Sequence, residues 1–123
     1  RDRLRNDPAG VTVSYMTSEP DPHQTSELAW CAGFFDAEGL AIRHLCIPML
    51  QIRHPVPDPL YRMRRSLNGH VVGPYFEIKD HDSEGVEAER HWYWQCSGET
   101  ALAAALTLSP LSTCKREVLQ NLL

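Results

Sequence analysis

The sequence predicts an α+β fold in which one sheet of four strands is backed by helices on a single face. Three observations point to it. Apolar residues recur at helical spacing in Leu28, Cys31, Ala32 and Phe35, and again in Leu60, Met63 and Leu67. They alternate in MLQIRH (Met49 to His54) and in HWYWQCS (His91 to Ser97), giving each segment one apolar and one polar side. Gly, Pro and Asn fall between these segments and separate them. The resulting order is α-β-β-α-β-β-α-α. Helices should cover the apolar face of the sheet, leaving the other face polar and open to a partner.

The first helix is expected to begin at Thr25 or Ser26, either of which can cap it, with Glu27 favourable in its first turn. It runs to Glu38, with Gly39 as a left-handed stop. A second strip on it, Ala29, Gly33 and Ala37, recurs every fourth residue without bulk and lets another backbone come close. Leu40 to Leu45 and Met49 to His54 follow as strands, separated at Pro48. Asp58 can cap the second helix, Pro59 fits its first position, and Asn68 and Gly69 end it. Val71 to Ile78 holds the third strand and Lys79 to Glu89 is an acidic loop. In the fourth strand Trp92, Trp94 and Cys96 share the inner side, and His91, Tyr93, Gln95 and Ser97 the outer. Ser97 can cap a helix through Leu108, and beyond Pro110 a last helix spans Thr113 to Leu123. Residues 1–24 have the composition of a flexible arm, with Met16 a candidate native start, and residues 25–123 form one domain.

Bulk properties narrow the function classes. With 123 residues, 42% apolar and 23% charged, the chain has the make-up of one globular domain. No run reaches the length of a membrane span, and the Arg-rich start lacks the apolar core of a secretory signal. Cys31, Cys46, Cys96 and Cys114 form no C-x-x-C pair, which argues against a zinc ribbon. Cys31, Cys46 and Cys96 lie among apolar residues, as buried reduced thiols of a cytoplasm-like compartment do. A net charge of −4 and a pI of about 5.8 weigh against a general nucleic-acid binder. That sum hides a basic cluster, Arg62, Arg64 and Arg65, and an acidic one from Asp80 to Glu89.

The segment CAGFFDAEG, Cys31 to Gly39, resembles the nine-residue signature of the LAGLIDADG homing endonucleases. Ala32, Gly33, Asp36, Ala37 and Gly39 agree in identity, Phe34 and Phe35 are apolar variants, and Glu38 keeps an acid. LQIRHPVPDPL, YWQCSGETAL and SPLSTCKREVLQNLL resemble three later segments of that family in the same order, so the likeness covers residues 25–123.

The resemblance implies a four-stranded antiparallel saddle that reads double-stranded DNA. It implies a homodimer packed through Ala29, Gly33 and Ala37, with Glu38 of each subunit as a catalytic metal ligand. Mg²⁺, or another divalent cation, would serve hydrolysis of one phosphodiester on each strand. Lys115 falls near the scissile phosphate, and His54 where a polar group orients water or acts as a base. Gln51, Arg53, Tyr93 and Gln95 fall on the DNA-reading face, and Arg116 and the Arg62 cluster where phosphate is touched. Asp36 is expected to tie up backbone near the helix end, and Asp58 departs from the family in capping a helix where some members place a basic residue. A non-cleaving binder on the same fold, either an RNA-splicing maturase or a transcription regulator, is the alternative. The setting implied is an intracellular mobile genetic element, whether intron, intein or free-standing gene.

Overall fold

The computed structural model describes residues 21–80 and 86–123. Helix α1 spans Pro22–Glu38, three residues earlier than Thr25. Asp21 caps it, its carboxylate accepting the His23 N–H at 3.1 Å, and Pro22 sits in the first turn, where a missing N–H costs nothing. Residues 22–24, expected in the arm, are therefore helical, while residues 1–20 lie outside the described residues. At its other end Gly39 is extended, with φ −83° and ψ 156°, not left-handed. The reason for glycine is steric: a Cβ there would collide with the Phe35 ring.

Strands β1 (Gly39–His44) and β2 (Ile47–His54) form a hairpin that turns through Leu45 and Cys46, both at positive φ. Pro48 does not separate them; it lies inside β2, paired with Arg43. Cys46, at this turn, is exposed and not buried as expected, whereas Cys31 and Cys96 are buried free thiols. Burial pushes the Cys96 thiol up to about 11 and raises Cys31 too, so both stay protonated. Helix α2 is Asp58–Leu67, with Pro57 at the cap position and Asp58 already in the first turn, where its charge suits the helix N-terminus.

Strands β3 (His70–Asp80) and β4 (Val86–Ser97) make a longer hairpin than expected. Both ends of the acidic loop placed at Lys79 to Glu89 are strand, since Lys79 pairs with Glu87 and Asp80 with Val86, and residues 81–85 lie outside the described residues. Helix α3 covers Gly98–Leu108, though Ser97 makes no side-chain cap bond. A 3-10 turn at Ser109–Leu111 leads to a short α4, Arg116–Gln120, where a longer helix was expected.

The sheet is fully antiparallel in the order β1-β2-β4-β3. Leu50 and Ile52 of β2 and Trp94 and Cys96 of β4 meet Cys31, Phe35, Leu60, Met63 and Leu108 from the helices in one core. The Trp94 indole N–H donates to the Asn68 carbonyl at 2.8 Å, which fixes the end of α2 on β4. Gly69 follows at φ +91°, and a Cβ there would stand 2.9 Å from the Gln95 carbonyl oxygen. The helices stop short of the far end of the β3–β4 hairpin, leaving Phe76 and Ile78 62% and 69% exposed.

Candidate nucleic-acid interface and helix-end site

Helix α1 buries Cys31, Ala32 and Phe35 and leaves Ala29, Gly33, Ala37 and Glu38 exposed. Among the described residues, a Cβ added at Gly33 would meet nothing within 4 Å. The two acids near its end point to different places because residues two apart are about 200° apart around a helix. Asp36 turns towards its own chain, accepting the Thr113 N–H at 2.8 Å and the Lys115 N–H at 3.0 Å. Partial burial opposes its ionisation, but these backbone donors, with that of Cys114, outweigh it and hold the carboxyl below its ordinary value. Asp36 thus ties backbone, as expected. Glu38 points out, and among the described residues none pairs with its carboxylate.

Lys115 returns to the same helix end. Its ammonium donates to the Gly39 carbonyl at 2.6 Å and to the Phe35 carbonyl at 3.4 Å, and lies 5.6 Å from the centre of the Phe35 ring. A cation here offsets the partial negative charge of the helix C-terminus. The half-buried ammonium also stands at the end of the helix that carries Glu38.

On the sheet, alternation puts Gln51 opposite Gln95 and Arg53 opposite Tyr93 on the face away from the helices. Gln51 Nε2 donates to Gln95 Oε1 at 3.5 Å. Arg53 reaches across β4 to form an ion pair with Glu77 of β3, and its Nη2 lies 3.4 Å from His91 Nδ1. His91, expected on the wet side, does face it but is only 8% exposed, beneath Arg53 and against the rings of Tyr75 and Tyr93. The open face therefore offers amides, a cation, a carboxylate and aromatic rings together.

Searches with the sequence find no matching family model and no matching curated protein. The structure does find neighbours. Two crystal structures of the homing endonuclease I-CvuI match with TM-scores of 0.55 and 0.54, each at 15% identity over 81% of this chain. One holds its target with 2 mM Ca, the other the I-CreI target with 2 mM Mg and the DNA not cleaved. The fold is that of a LAGLIDADG homing endonuclease. This chain spans 65% of the I-CvuI chain.

Within the homing-endonuclease fold the expected site residues divide into groups. Gln51, Arg53, Tyr93 and Gln95 come together on one face, and Ala29, Gly33 and Ala37 on one helix side ending near Glu38 and Lys115. His54 stands apart from both groups, at the end of β2. It shares the inner side of β2 with Leu50 and Ile52, its ring meets Phe34 edge-on at 5.5 Å, and its Nδ1 accepts the Val56 N–H at 3.0 Å. That geometry makes it a brace for the turn after β2. Arg116 is partly spent as well, its Nε donating to the carbonyls of Ser112 at 3.0 Å and Ser109 at 3.3 Å. Arg62 is bound to Glu27 through two hydrogen bonds and lies 4.0 Å over Trp30, joining α2 to α1 in the helical layer. Sequence reasoning missed Glu77. Its position shows only once the bulge between Val72 and Tyr75 resets the alternation of β3.

Proposed function

We propose that this chain is a site-specific double-strand DNA endonuclease acting as a homodimer, with a divalent cation such as Mg²⁺ and one motif acid, Glu38, from each subunit. The observation that supports this most is the outer strip of α1. A glycine inside a helix costs about 1 kcal/mol relative to alanine, yet an added Cβ at Gly33 meets nothing within 4 Å among the described residues. Close approach by a second copy gives that glycine a purpose. Twofold packing along Ala29, Gly33 and Ala37 then brings two Glu38 side chains together at the end of the helix pair.

Such a pair is unfavourable by itself. Each carboxylate sits at a helix C-terminus, and each repels the other. A hard divalent cation relieves both, and carboxylate and phosphate oxygens suit it. Among the described residues no group of three or more His, Cys, Asp or Glu could hold a metal ion within one subunit. In this reading the donors are Glu38 of each copy with oxygens of the DNA. The cation, when bound, supplies activation of water and stabilisation of the leaving oxygen.

The chain's own residues do the rest. Lys115, held by the Gly39 and Phe35 carbonyls, places fixed positive charge near the phosphate, where negative charge develops. Gln51, Gln95, Arg53 and Tyr93 face the major groove, Gln suiting adenine and Arg suiting guanine. His54 and Arg116 take supporting roles through the turns they brace. The setting that goes with this activity is an intracellular mobile genetic element.

Purified protein, Mg²⁺ and a randomised duplex library test the proposal. Cut DNA is expected, with a single recovered target. Glu38→Gln is expected to bind that target and leave it intact. Binding without cleavage by the unmodified chain would point to a non-cleaving binder on the same fold, and full activity of Glu38→Gln would remove the acid from the chemistry.

A further inference from the structure

We infer that Glu77 is a specificity-determining residue of the open face, acting with Arg53 to select a G·C pair in the target. The inference rests on the DNA-reading role proposed above. Arg53 and Glu77 are not neighbours in the sheet. Arg53 pairs in register with Tyr93 of β4, and Glu77 pairs with Glu89, two rows further along. They meet because the Arg53 side chain lies across β4, over His91. The floor beneath is firm: the rings of Tyr75, His91 and Tyr93 contact one another with centroids 5.2 to 6.0 Å apart. The pair on top is half open to solvent, at 45% and 47%, so an approaching duplex reaches both members.

The chemistry of the two groups is complementary to one base pair. A guanidinium only donates, and an ionised carboxylate only accepts. Across the major groove a G·C pair presents two acceptors, guanine N7 and O6, and then one donor, the cytosine amino group. Arg53 meets the acceptors and Glu77 meets the donor. An A·T pair ends on the thymine O4 acceptor, which a carboxylate repels. Glu77 also opposes phosphate wherever it lies, so it weakens binding to every sequence. That opposition is offset only where cytosine donates to it. Arg53 alone would accept any acceptor-rich edge or phosphate; latched to Glu77, it is held flat until a matching pair engages both.

Selection from a randomised duplex library, followed by fluorescence anisotropy on single-position variants of the recovered site, tests this. The unmodified chain is expected to show one position per half-site where G·C is preferred by about tenfold or more, the discrimination of a good bidentate contact. Glu77→Gln is expected to bind random duplex more tightly, by about three- to tenfold, because one charge facing the phosphates is gone. At the single position its G·C preference is expected to fall to about twofold, with the other positions unchanged. Arg53→Gln is expected to lose preference at the same position, and Glu77→Asp to keep it. Thermal unfolding of each variant separates this from a loss of fold, which would erase preference at all positions at once. An unchanged preference in Glu77→Gln, or losses at different positions in the two variants, overturns the inference. Failure of the unmodified chain to bind any duplex would instead overturn the DNA-reading role beneath it.

Discussion

Replacing Gly33 by alanine and by leucine separates what α1 needs for its own fold from what a second copy would need of it. The position is exposed and helical, and a Cβ built there meets no atom of the described residues within 4 Å. Alanine should therefore stabilise the single subunit by the difference in helix propensity, about 1 kcal/mol. For a domain of this size that corresponds to a rise of about 3–6 °C in Tm. The subunit contact moves the other way as bulk increases. Packed helices approach to about 8–10 Å between axes, and only small side chains permit the lower end. Leucine at a tight contact costs about 1–3 kcal/mol, and a twofold axis counts it twice. The dimer should weaken by about 2–6 kcal/mol, a factor of roughly 30 or more in Kd. Urea unfolding at concentrations low enough to hold single subunits reads the first effect, and sedimentation velocity across a dilution series reads the second. Gly33→Leu should also lose cleavage at concentrations where the unmodified chain cuts. If Gly33→Leu associates as tightly as the unmodified chain, the strip is not the contact surface. If Gly33→Ala destabilises the isolated subunit, the space around position 33 is not free.

Further outcomes follow from the contacts around that helix end. Lys115→Met keeps an aliphatic stem over Phe35 but removes the bonds to the Gly39 and Phe35 carbonyls. It is expected to cost about 1–2 kcal/mol in urea unfolding and to abolish cleavage while leaving DNA binding measurable by anisotropy. The Asp36 carboxyl lies below its ordinary value in the folded chain. Its stabilisation is therefore present above about pH 4, the unfolded value, and is lost as pH falls through the lower folded value. Asp36→Asn should lose about 1–3 kcal/mol at neutral pH, and its urea midpoints should fall less steeply below about pH 4 than those of the unmodified chain. Gly69→Ala combines positive φ with a Cβ 2.9 Å from both the Gln95 carbonyl oxygen and Trp94 Nε1. It should cost about 2 kcal/mol or more, read as a lowered Tm.

The sequence shows the fold wherever one pattern dominates. The alternation in MLQIRH and HWYWQCS gave β2, β4 and the two faces of the sheet correctly, because burial on one side forces period two. Apolar spacing likewise found α1 and α2. Boundaries failed where side-chain chemistry and backbone pairing disagree. Lys79 to Glu89 is acidic, with little β-propensity, yet its ends continue the ladder of a hairpin that had already formed. Pro48 looked like a break and is a strand residue, because the real turn lies at Leu45 and Cys46, where positive φ has no strong sequence signal in these residue types. At the site, the exposed strip on α1 was legible because helical spacing fixes which side chains share a face, whereas Glu38 stood out only through the family resemblance. The Arg53–Glu77 latch was not, since it depends on a bulge in β3 and on one side chain crossing a whole strand.

An acid is poorly placed at the last turn of a helix, and this helix carries two. Their spacing resolves the conflict. Asp36 and Glu38 diverge by about 200°, so one serves the subunit while the other leaves it. Asp36 accepts from the backbone of Thr113 and Lys115, which fixes the segment between the 3-10 turn and α4. That fixed segment aims the Lys115 side chain back at the helix terminus, onto the Gly39 carbonyl. A cation at the C-terminus of α1 then offsets the field that would otherwise penalise both acids. Asp36 is thus a positioning residue for Lys115, whose ammonium is held at the helix end that carries Glu38. Removing Asp36 should loosen Lys115 before it affects Glu38. In the proposed enzyme the Asp36→Asn variant should therefore lose turnover while its affinity for target DNA holds. Were its affinity to fall in step with turnover, Asp36 would be acting on DNA binding itself, not through Lys115.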